Sequence, residues 1–539
     1  LVVSEFQPPE GEWIRWQVSR SVWENLALFR ARLNGRKIRL AVVMLVPKAV
    51  HRRMYWLPLT LAPHRVAALN EAGNHFLFQP RDLKSIVRHF FWRLREFLTF
   101  ELHPGGHVYT WLWRIRHPEH LRRPFLYRAA LAAGVLATFR KILLPPGVEP
   151  VPRQALPEGI SVVVPSRNGR DLLARLLPGV AGQLDPAASE IIVVDNGSED
   201  GTAGFLSAAY ASVVVEHSAA PLSFARAVNR GIARARFSHV CLLNNDMVIE
   251  AGFFAALRES FDRVPDLFCA TAQIFFPEGA RREETGKAVM PPSRNPLDFP
   301  VTCELPLEGE DLSYVLYGSG GCSLYETARL RALGGAGEVY EPAYAEDLDL
   351  GFRAWQRGWP TVFAAHARVL HEHRATTSRY YSGAELERVL EVNYLRFLTR
   401  AVAYPPLFRK LWREAIQRLN ILCIQGPNQT DAPNLTAVLA EARHAAGWVE
   451  RQRRTPGALP EDLIFALGSG EAAVLPGRSA RGKPVVLIVS PYAPYPLSHG
   501  GAVRMYNLMR RAAEEFDLVL VRFADQWTPP PAEMLAICV

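Results

Sequence analysis

The chain has few cysteines and no long apolar run. Six cysteines occur in 539 residues, and none of them forms a Cys-x-x-Cys pair. A zinc ribbon or a disulfide framework needs closely spaced cysteines, so neither is expected, and a reducing cytosol is the simpler location. In the first 150 residues the longest uncharged apolar run, 129–139, is bounded by arginines and is well short of the roughly 20 residues that span a bilayer. We therefore expect a cytoplasmic protein that does not cross a membrane.

Acidic residues are fewer than basic ones. The chain has 53 Asp and Glu against 62 Lys and Arg, a net charge of +9 and a pI near 9.3. Such an excess fits anionic partners such as nucleotides, phospholipid head groups or nucleic acid, and charge alone does not choose among them. The 49% hydrophobic content excludes global disorder. A chain of this length holds more than one domain of roughly 100–200 residues.

Changes of composition divide the chain into four regions. Between about 160 and 246, apolar β-branched runs alternate with helical patterns, which predicts βαβ units and a mostly parallel sheet. The regions are a basic, aromatic-rich part of unknown fold at 1–150, the α/β domain at 158–403, a helical part with a linker at 404–482, and a final part at 483–539 that starts with a buried strand.

The first region contains a basic amphipathic pattern. From 84 to 100, apolar residues recur at helical spacing with arginines between them. Such a helix either lies on an anionic membrane surface or packs on a neighbouring domain with a solvated basic face. The second arrangement is the commoner one. Peripheral contact with the inner face of a membrane is therefore an alternative to a purely cytoplasmic location.

Two widely separated acids lie where α/β sheets bind their ligands, at the carboxyl ends of strands. Asp246 follows an apolar run, 240–243, and two asparagines. It can supply a hard oxygen ligand to a divalent cation that bridges a diphosphate, although Asn-Asn-Asp alone also fits an ordinary turn. Asp347 precedes an amphipathic stretch. Together the two acids suggest transfer chemistry on a charged donor, with one acid for the metal and the other for the base.

Two earlier predicted strands also end in polar residues. The run at 160–165 leads into Ser166, Arg167 and Asn168, and the run at 191–195 ends in Asp195. A carboxylate at a strand end can accept hydrogen bonds from ribose hydroxyls or from a base N–H. Ser198 and Asp200, in the polar loop that follows, are better explained by turn formation and helix capping.

Three further features concern later parts of the α/β domain. The small residues around Gly320 and Gly321 allow backbone to approach a ligand closely, although a plain bend explains them equally well. Asp349 is placed to pair with Arg353 four residues later on a helix, which is a structural role. His371 follows an apolar run, and an imidazole beside an Asp-held cation is a credible extra ligand.

The order of these motifs resembles family-2 glycosyltransferases of the GT-A fold. It runs Val-Val-Pro-Ser-Arg-Asn, Val-Val-Asp-Asn-Gly-Ser-Glu-Asp-Gly-Thr, Phe-Ala-Arg-Ala-Val-Asn-Arg-Gly, Leu-Leu-Asn-Asn-Asp, Gly-Ser-Gly-Gly, Glu-Asp-Leu-Asp-Leu and then His371. The resemblance covers roughly 158–403 and implies the α/β fold of nucleotide-diphospho-sugar transferases, a mostly parallel sheet flanked by helices. Asn244 stands first in the metal motif, as in rhamnosyltransferase-like members. Ser223 and Pro221 replace a common Gly and Asn.

The resemblance also implies roles for individual residues. Asp195 would contact the nucleoside, Asp246 would be the metal-binding acid of the Asp-x-Asp-type motif, and Asp347 would be the general base. His371 would be a further contact to the metal or the diphosphate. The remaining candidates for contact with nucleotide or substrate are Pro165, Arg167, Asn168, Asn196, Asn229, Asn245 and Glu346, with Gly320 and Gly321 on the acceptor side.

A second resemblance lies near the C-terminus. The segment from 485 to 504 is similar to the opening of GT-B, family-4 glycosyltransferases, whose glycine pair lies against the substrate cleft. It implies an incomplete Rossmann-like βα unit, the truncated start of that fold, and we expect no independent activity from it.

The motifs favour a metal-assisted, inverting glycosyltransferase of cell wall polysaccharide biosynthesis. It would use Mn²⁺ or Mg²⁺ to move a hexose or deoxyhexose from a nucleotide-diphosphate sugar to a hydroxyl of a glycan or lipid-linked acceptor, with no nucleic-acid partner. Three alternatives stay open. A nucleotidyltransferase would show a Gly/Arg/Lys-rich loop after the first strand, and a Rossmann oxidoreductase would show Gly-x-Gly-x-x-Gly there. A non-catalytic, membrane-associated scaffold for glycan assembly would bind no nucleotide sugar.

Overall fold

A computed structural model gives the fold of the chain in two compact units, Leu1–Trp113 and Arg114–Val539. The residues that it describes are 2–4, 8–17, 21–45, 56–62, 65–70, 75–116, 123–147, 155–276, 286–289, 297–371, 380–424, 432–455, 458–467, 472–523 and 528–539. No described helix is both long enough and apolar enough to cross a membrane.

The first unit contains strands as well as the predicted helices. β1 and β2 pair in parallel, and β3, β4 and β5 form a separate sheet in that order. The predicted amphipathic helix is confirmed as α3. The elements are β1 (Val2–Ser4), β2 (Trp13–Arg15), α1 (Val22–Leu33), β3 (Ala41–Leu45), α2 (Trp56–Leu61), β4 (Val66–Asn70), β5 (His75–Leu77), α3 (Leu83–Leu102) and α4 (His107–Arg116).

The second unit is built around one large sheet. Among the described residues nine strands join it, in the order β10-β16-β11-β15-β9-β6-β7-β8, with β14 also paired to β16. The strands are β6 (Ile160–Ser166), β7 (Ser189–Asn196), β8 (Val214–Ser218), β9 (His239–Leu243), β10 (Met247–Ile249), β11 (Cys269–Phe275), β14 (Ser313–Val315), β15 (Cys322–Glu326) and β16 (Thr361–His371); β12 (Ala288–Val289) and β13 (Thr302–Cys303) pair separately.

The α/β fold class is confirmed, and the sheet is mixed. β8, β7, β6 and β9 are parallel to one another, as the βαβ pattern predicts. The rest of the sheet adds antiparallel pairings of β15 with β9 and β11, and of β10 and β14 with β16. β11 and β16 are again parallel to each other, so both pairing directions occur in this part of the sheet.

Helices surround the sheet and bury both of its faces. Successive residues of β6 alternate between two cores: Val162 and Val164 belong to one, and Val163 to the other. Because successive side chains of a strand point to opposite faces of the sheet, β6 is buried on both faces. The helices are α5 (Arg123–Leu143), α6 (Arg170–Ala181), α7 (Thr202–Ala209), α8 (Phe224–Arg234), α9 (Phe253–Arg263), α10 (Thr327–Ala332), α11 (Glu346–Trp355), α12 (Gly383–Ala401), α13 (Pro405–Leu422), α14 (Ala432–Ala442), α15 (Ala445–Trp448) and α16 (Glu461–Ile464).

α5 packs on the helices that follow the α/β part. Trp412 of α13 donates its indole N–H to the carbonyl of Ala130 at 3.0 Å. The ammonium of Lys141 is buried between the carbonyls of Thr399 and Val402, at 2.6 Å from each. The sequence-based division placed α5 in the first region, 1–150, whereas these contacts join it to the end of the α/β domain, at Thr399 and Val402, and to the helical part at 404–482.

The C-terminal part forms a parallel βαβ unit of β17 (Val485–Ser490), α17 (Gly500–Ala512) and β18 (Asp517–Arg522), followed by the short α18 (Ala532–Leu535). The expectation that β17 is a buried strand was wrong. Alternate residues of β17 are exposed, with Leu487 at 62%, because only one of its faces packs against the neighbouring elements. The similarity of this unit to GT-B enzymes stays a prediction.

We predict that Gly134→Ala lowers the unfolding temperature. A Cβ at Gly134 would lie 2.2 Å from the Trp412 ring, so the α5–α13 contact must shift, at a cost of about 1–3 kcal/mol. Gly204→Ala in α7 is the matched control, since its Cβ meets nothing within 4 Å and the helix gains up to about 1 kcal/mol. Thermal unfolding followed by circular dichroism should give shifts of opposite sign, and equal shifts would contradict the packing.

Candidate active site

The carboxyl ends of three neighbouring parallel strands meet at one edge of the sheet. β6 ends at Ser166, β7 at Asn196 and β9 at Leu243. In register, Ser166 lies beside Asp195. The polar residues predicted at these strand ends therefore come together at the edge where open α/β sheets bind ligands.

Asp195 is buried at the end of β7. One carboxylate oxygen accepts a hydrogen bond from the backbone N–H of Ser198 at 3.2 Å, and the other lies 3.1 Å from Nδ1 of His217. The next residue, Asn196, holds the backbone of Leu222 with both ends of its amide, at 3.0 and 2.6 Å. His217 was not a predicted site residue, because its sequence surroundings give no signal.

The loop after β6 is fixed by contacts from a distant residue, Tyr380. Asn168 has a left-handed backbone (φ 48°) and donates from its amide to the Tyr380 hydroxyl at 2.9 Å. The guanidinium of Arg167 lies over the Tyr380 ring, 4.0 Å from its centroid. Pro165, next to Val194 in register, is half-buried. Sequence reasoning missed Tyr380, since nothing nearby in the sequence marks it as a partner of this loop.

Asp246 and His371 lie side by side, as the proposed metal site requires. β10 pairs antiparallel with β16 so that Met247 faces His371. Nε2 of His371 is 3.6 Å from Oδ1 of Asp246, and that buried oxygen accepts no hydrogen bond. Among the described residues no three His, Cys, Asp or Glu side chains gather as a metal site. Two protein ligands fit Mg²⁺ or Mn²⁺, because such ions take further oxygens from phosphates and water.

Two segments of backbone lie close to the side chains of the Asn-Asn-Asp turn, residues 244–246. Asn245 donates from its amide to Ser166 Oγ at 2.9 Å, and a Cβ at Gly169 would lie 2.3 Å from that amide nitrogen. The N–H of Asn244 donates to the carbonyl of Gly321 at 2.8 Å, and a Cβ at Gly321 would lie 2.4 Å from the Asn244 amide nitrogen. A side chain at either glycine must displace one of these amides.

The loop that contains Gly321 also reaches Asp347. A Cβ at Gly320 would lie 3.9 Å from Cβ of Asp347, so the two residues are in contact. Asp347 is the second residue of α11. The helix directly follows Tyr344 and Ala345, whose φ angles of 73° and 72° are left-handed. Non-glycine residues adopt this conformation at a cost, which is typical of functional sites.

Glu346 and Asp347 form a pair of adjacent carboxyl groups with altered acidity. Burial and the neighbouring Asp347 carboxylate raise the pKa of Glu346, and one of its oxygens is buried without a hydrogen-bond partner. Burial also raises the pKa of Asp347, against hydrogen bonds from the backbone N–H groups of Leu348 and Gly320. Two such groups ionise together only at a cost, so one proton tends to remain on the pair.

Asp349 and Asn229 have structural contacts near the site. The prediction that Asp349 pairs with Arg353 is confirmed, with two nitrogens of the arginine 2.7 Å from the same buried oxygen. Asn229, a candidate for nucleotide contact, lies in α8 and uses both ends of its amide on the backbone of Ala336 at 2.9 Å. It thereby fixes the turn that leads towards Glu346 and Asp347.

Comparison with known proteins gives one family match and distant relatives. Residues 157–383 match the family model "Glycosyltransferase like family 2". A Mycobacterium tuberculosis N-acetylglucosaminyl-diphospho-decaprenol L-rhamnosyltransferase is 29% identical over 212 residues, which cover 35% of this chain and 68% of the relative. An uncharacterized Sinorhizobium fredii protein, y4gI, is 22% identical over 253 residues, 44% of this chain. The chain spans only 27% of the length of that protein.

Solved structures resemble the chain only remotely. Staphylococcus aureus TarS, residues 1–349, is 16% identical, with a TM-score of 0.38 over 53% of this chain and 81% of TarS. The family match and the arrangement of strands in this chain together support a glycosyltransferase family 2 domain with the predicted GT-A type of α/β fold.

We predict that Glu346→Gln stabilises the protein at alkaline pH. The raised pKa keeps Glu346 protonated where an unfolded glutamate is already ionised, so stability falls as pH rises above the ordinary glutamate range. The unfolding temperature of the variant, relative to the native chain, should therefore rise by a few degrees between about pH 5 and about pH 8.5. Glu387→Gln, at an exposed position of α12, is the control and should show no such pH dependence.

Proposed function

We propose that residues 158–403 transfer a sugar, with inversion and with the help of a divalent cation, from a nucleotide-diphosphate sugar to an acceptor hydroxyl. The observation that carries this proposal is a continuous path of contacts across the sheet edge. It runs from the Asp246–His371 pair through Asn244 and Gly321 to Gly320 and Asp347. A cation site and a candidate base thus belong to one local structure, as a displacement at a sugar carbon requires.

The donor would lie along the parallel half of the edge. Asp195 is the candidate for contact with the nucleoside. Arg167 directly follows Ser166, the partner of Asp195 in register, and brings a positive charge to the same edge. Asp246 and His371 would hold the cation. When bound, Mn²⁺ or Mg²⁺ neutralises charge that develops on the departing diphosphate.

Asp347 would act on the acceptor. Its carboxylate takes the proton of the acceptor hydroxyl while the oxygen attacks the anomeric carbon, and the bond from that carbon to the diphosphate oxygen breaks on the opposite face. A raised pKa makes a carboxylate a stronger base, which suits this role. The hydrogen bond from the backbone N–H of Gly320 would hold this carboxylate in place beside the glycine loop.

We also propose that the acceptor is lipid-linked. The relative from Mycobacterium tuberculosis is named for rhamnosyl transfer to a diphospho-decaprenol acceptor. This chain shares with the predicted rhamnosyltransferase-like pattern the asparagine at position 244 and the order of motifs around it. A deoxyhexose such as rhamnose is therefore the first donor sugar to test.

The expected result for Asp347→Asn is a loss of transfer without a loss of donor binding. The amide cannot take a proton, so kcat should fall by about 10²–10⁴-fold, while the donor Kd changes little. Asp246→Asn should instead weaken the Mn²⁺-dependent binding of nucleoside diphosphate, measured by titration calorimetry. Asp262→Asn, at an exposed position of α9, should leave both quantities unchanged.

A panel of nucleotide sugars, assayed with Mn²⁺, Mg²⁺ or EDTA, tests the proposal as a whole. An enzyme should bind or slowly hydrolyse one donor in a metal-dependent way. A chain that ignores every donor would leave the scaffold alternative. Full turnover by Asp347→Asn would refute the assignment of the base.

We propose, in addition, a peripheral contact between α3 and an anionic membrane surface. What supports it is the exposure of large apolar side chains on α3, among them Phe90, Phe91 and Phe97, at 57–61%. Lys84 and Arg88 are exposed on the same helix and would meet anionic head groups. The cytoplasmic leaflet of a membrane carries such negative charge.

Vesicle sedimentation would test the contact. Phe90→Ser with Phe91→Ser should weaken binding to vesicles of phosphatidylglycerol by at least about tenfold, because two aromatic rings no longer leave water. Val485→Ser with Leu487→Ser removes an equally exposed apolar pair from β17 and should have no effect. Equal binding by all three proteins would contradict the role of α3.

A further inference from the structure

The first unit contains a cavity with a strongly positive lining. Its volume is about 960 Å³, and five of the side chains around it are cationic: Arg30, Arg36, Lys37, Arg39 and Arg65. The remaining lining is mostly apolar, and no Asp or Glu is among the described residues that form the wall. Cavities of this size hold small organic ligands, whereas a single inorganic ion needs far less space.

Local structure explains how separate parts of the chain form one cavity. α1 ends at Asn34, whose left-handed backbone (φ 43°) starts a turn that continues through Gly35 (φ 78°). The chain then runs past Lys37 to β3, where the N–H of Ala41 donates to the carbonyl of Arg65 at 2.9 Å. This bond holds Arg65 beside the start of β3, and Arg65 and the cations between α1 and β3 line one space.

Ordinary structural roles explain only two of these five cationic side chains. A basic residue in the last turn of a helix favours the helix dipole, which explains Arg30. Arg36 forms an ion pair with Glu12 at 3.0 Å, and both side chains are largely exposed. Neither explanation covers Lys37, Arg39 and Arg65, which are exposed around the same space.

We propose that this cavity binds the diphosphate group of a phosphorylated ligand, at a site separate from the candidate active site. Arginine forks make paired hydrogen bonds to phosphate oxygens, and several of them around one space suit a diphosphate better than a single carboxylate. The apolar walls would take the organic part of the ligand. Two sources carry this group, a free nucleoside diphosphate and a prenyl diphosphate head group, and the same experiment separates them.

The test is binding of inorganic pyrophosphate to the full chain, measured by titration calorimetry in EDTA. The triple variant Lys37→Ala, Arg39→Ala, Arg65→Ala should weaken the Kd by at least tenfold, and binding by the native chain should weaken as salt is raised. The control triple Arg15→Ala, Arg32→Ala, Arg81→Ala removes the same charge from exposed positions outside the cavity. It should bind pyrophosphate as the native chain does.

UDP and farnesyl diphosphate serve as the second and third probes. Tighter binding of farnesyl diphosphate than of pyrophosphate, lost in the cavity triple alone, identifies a lipid head group. The same pattern for UDP identifies a nucleotide. Equal losses in the two triples, or no binding of any probe by the native chain, would overturn the proposal. Unchanged circular dichroism of the cavity triple shows that a loss of binding is not a loss of folding.

Discussion

The contact between the Asn-Asn-Asp turn and the glycine loop is the constraint on which the candidate site depends. The N–H of Asn244 binds the carbonyl of Gly321, and the Asn244 side chain fills the space where a Cβ at 321 would stand. The turn leads directly to Asp246, and the loop leads through Gly320 to Asp347. A side chain at 321 must displace the Asn244 amide from this space, directly beside the turn that carries Asp246.

The acidic residues at this edge of the sheet differ in their electrostatic surroundings. Asp195 accepts a hydrogen bond from the backbone N–H of Ser198 and lies 3.1 Å from Nδ1 of His217. The pair at 346 and 347 has mainly backbone N–H groups, and burial raises the pKa of both carboxyls. A carboxylate held by such contacts at a strand end suits hydrogen bonding to a ligand, whereas a buried carboxylate with a raised pKa suits accepting a proton. The proposed roles of these acids therefore rest on different surroundings of the same chemical group.

Much of the α/β domain could be predicted because its signals are local. Apolar runs that end in polar residues fixed the ends of β6, β7 and β9 to within a few residues, and the i, i+4 spacing of Asp349 and Arg353 was sufficient to assign an ion pair. The antiparallel half of the sheet was not foreseen. The side chains of a strand alternate in the same way whether its neighbour is parallel or antiparallel. The spacing of apolar residues therefore does not predict the relative direction of paired strands.

The roles of the site residues could not be predicted, because they depend on contacts between residues that are far apart in the sequence. The amides of Asn196 and Asn229 look like ligand-binding groups in the sequence, yet both ends of each are used on backbone far along the chain. Tyr380 gives no local signal, although it fixes Arg167 and Asn168. A polar residue at a strand end is thus evidence of position, and only its partners decide whether it contacts substrate or holds the loop that does. On this criterion Asp246, with an oxygen that accepts no hydrogen bond, is a stronger ligand candidate than either asparagine.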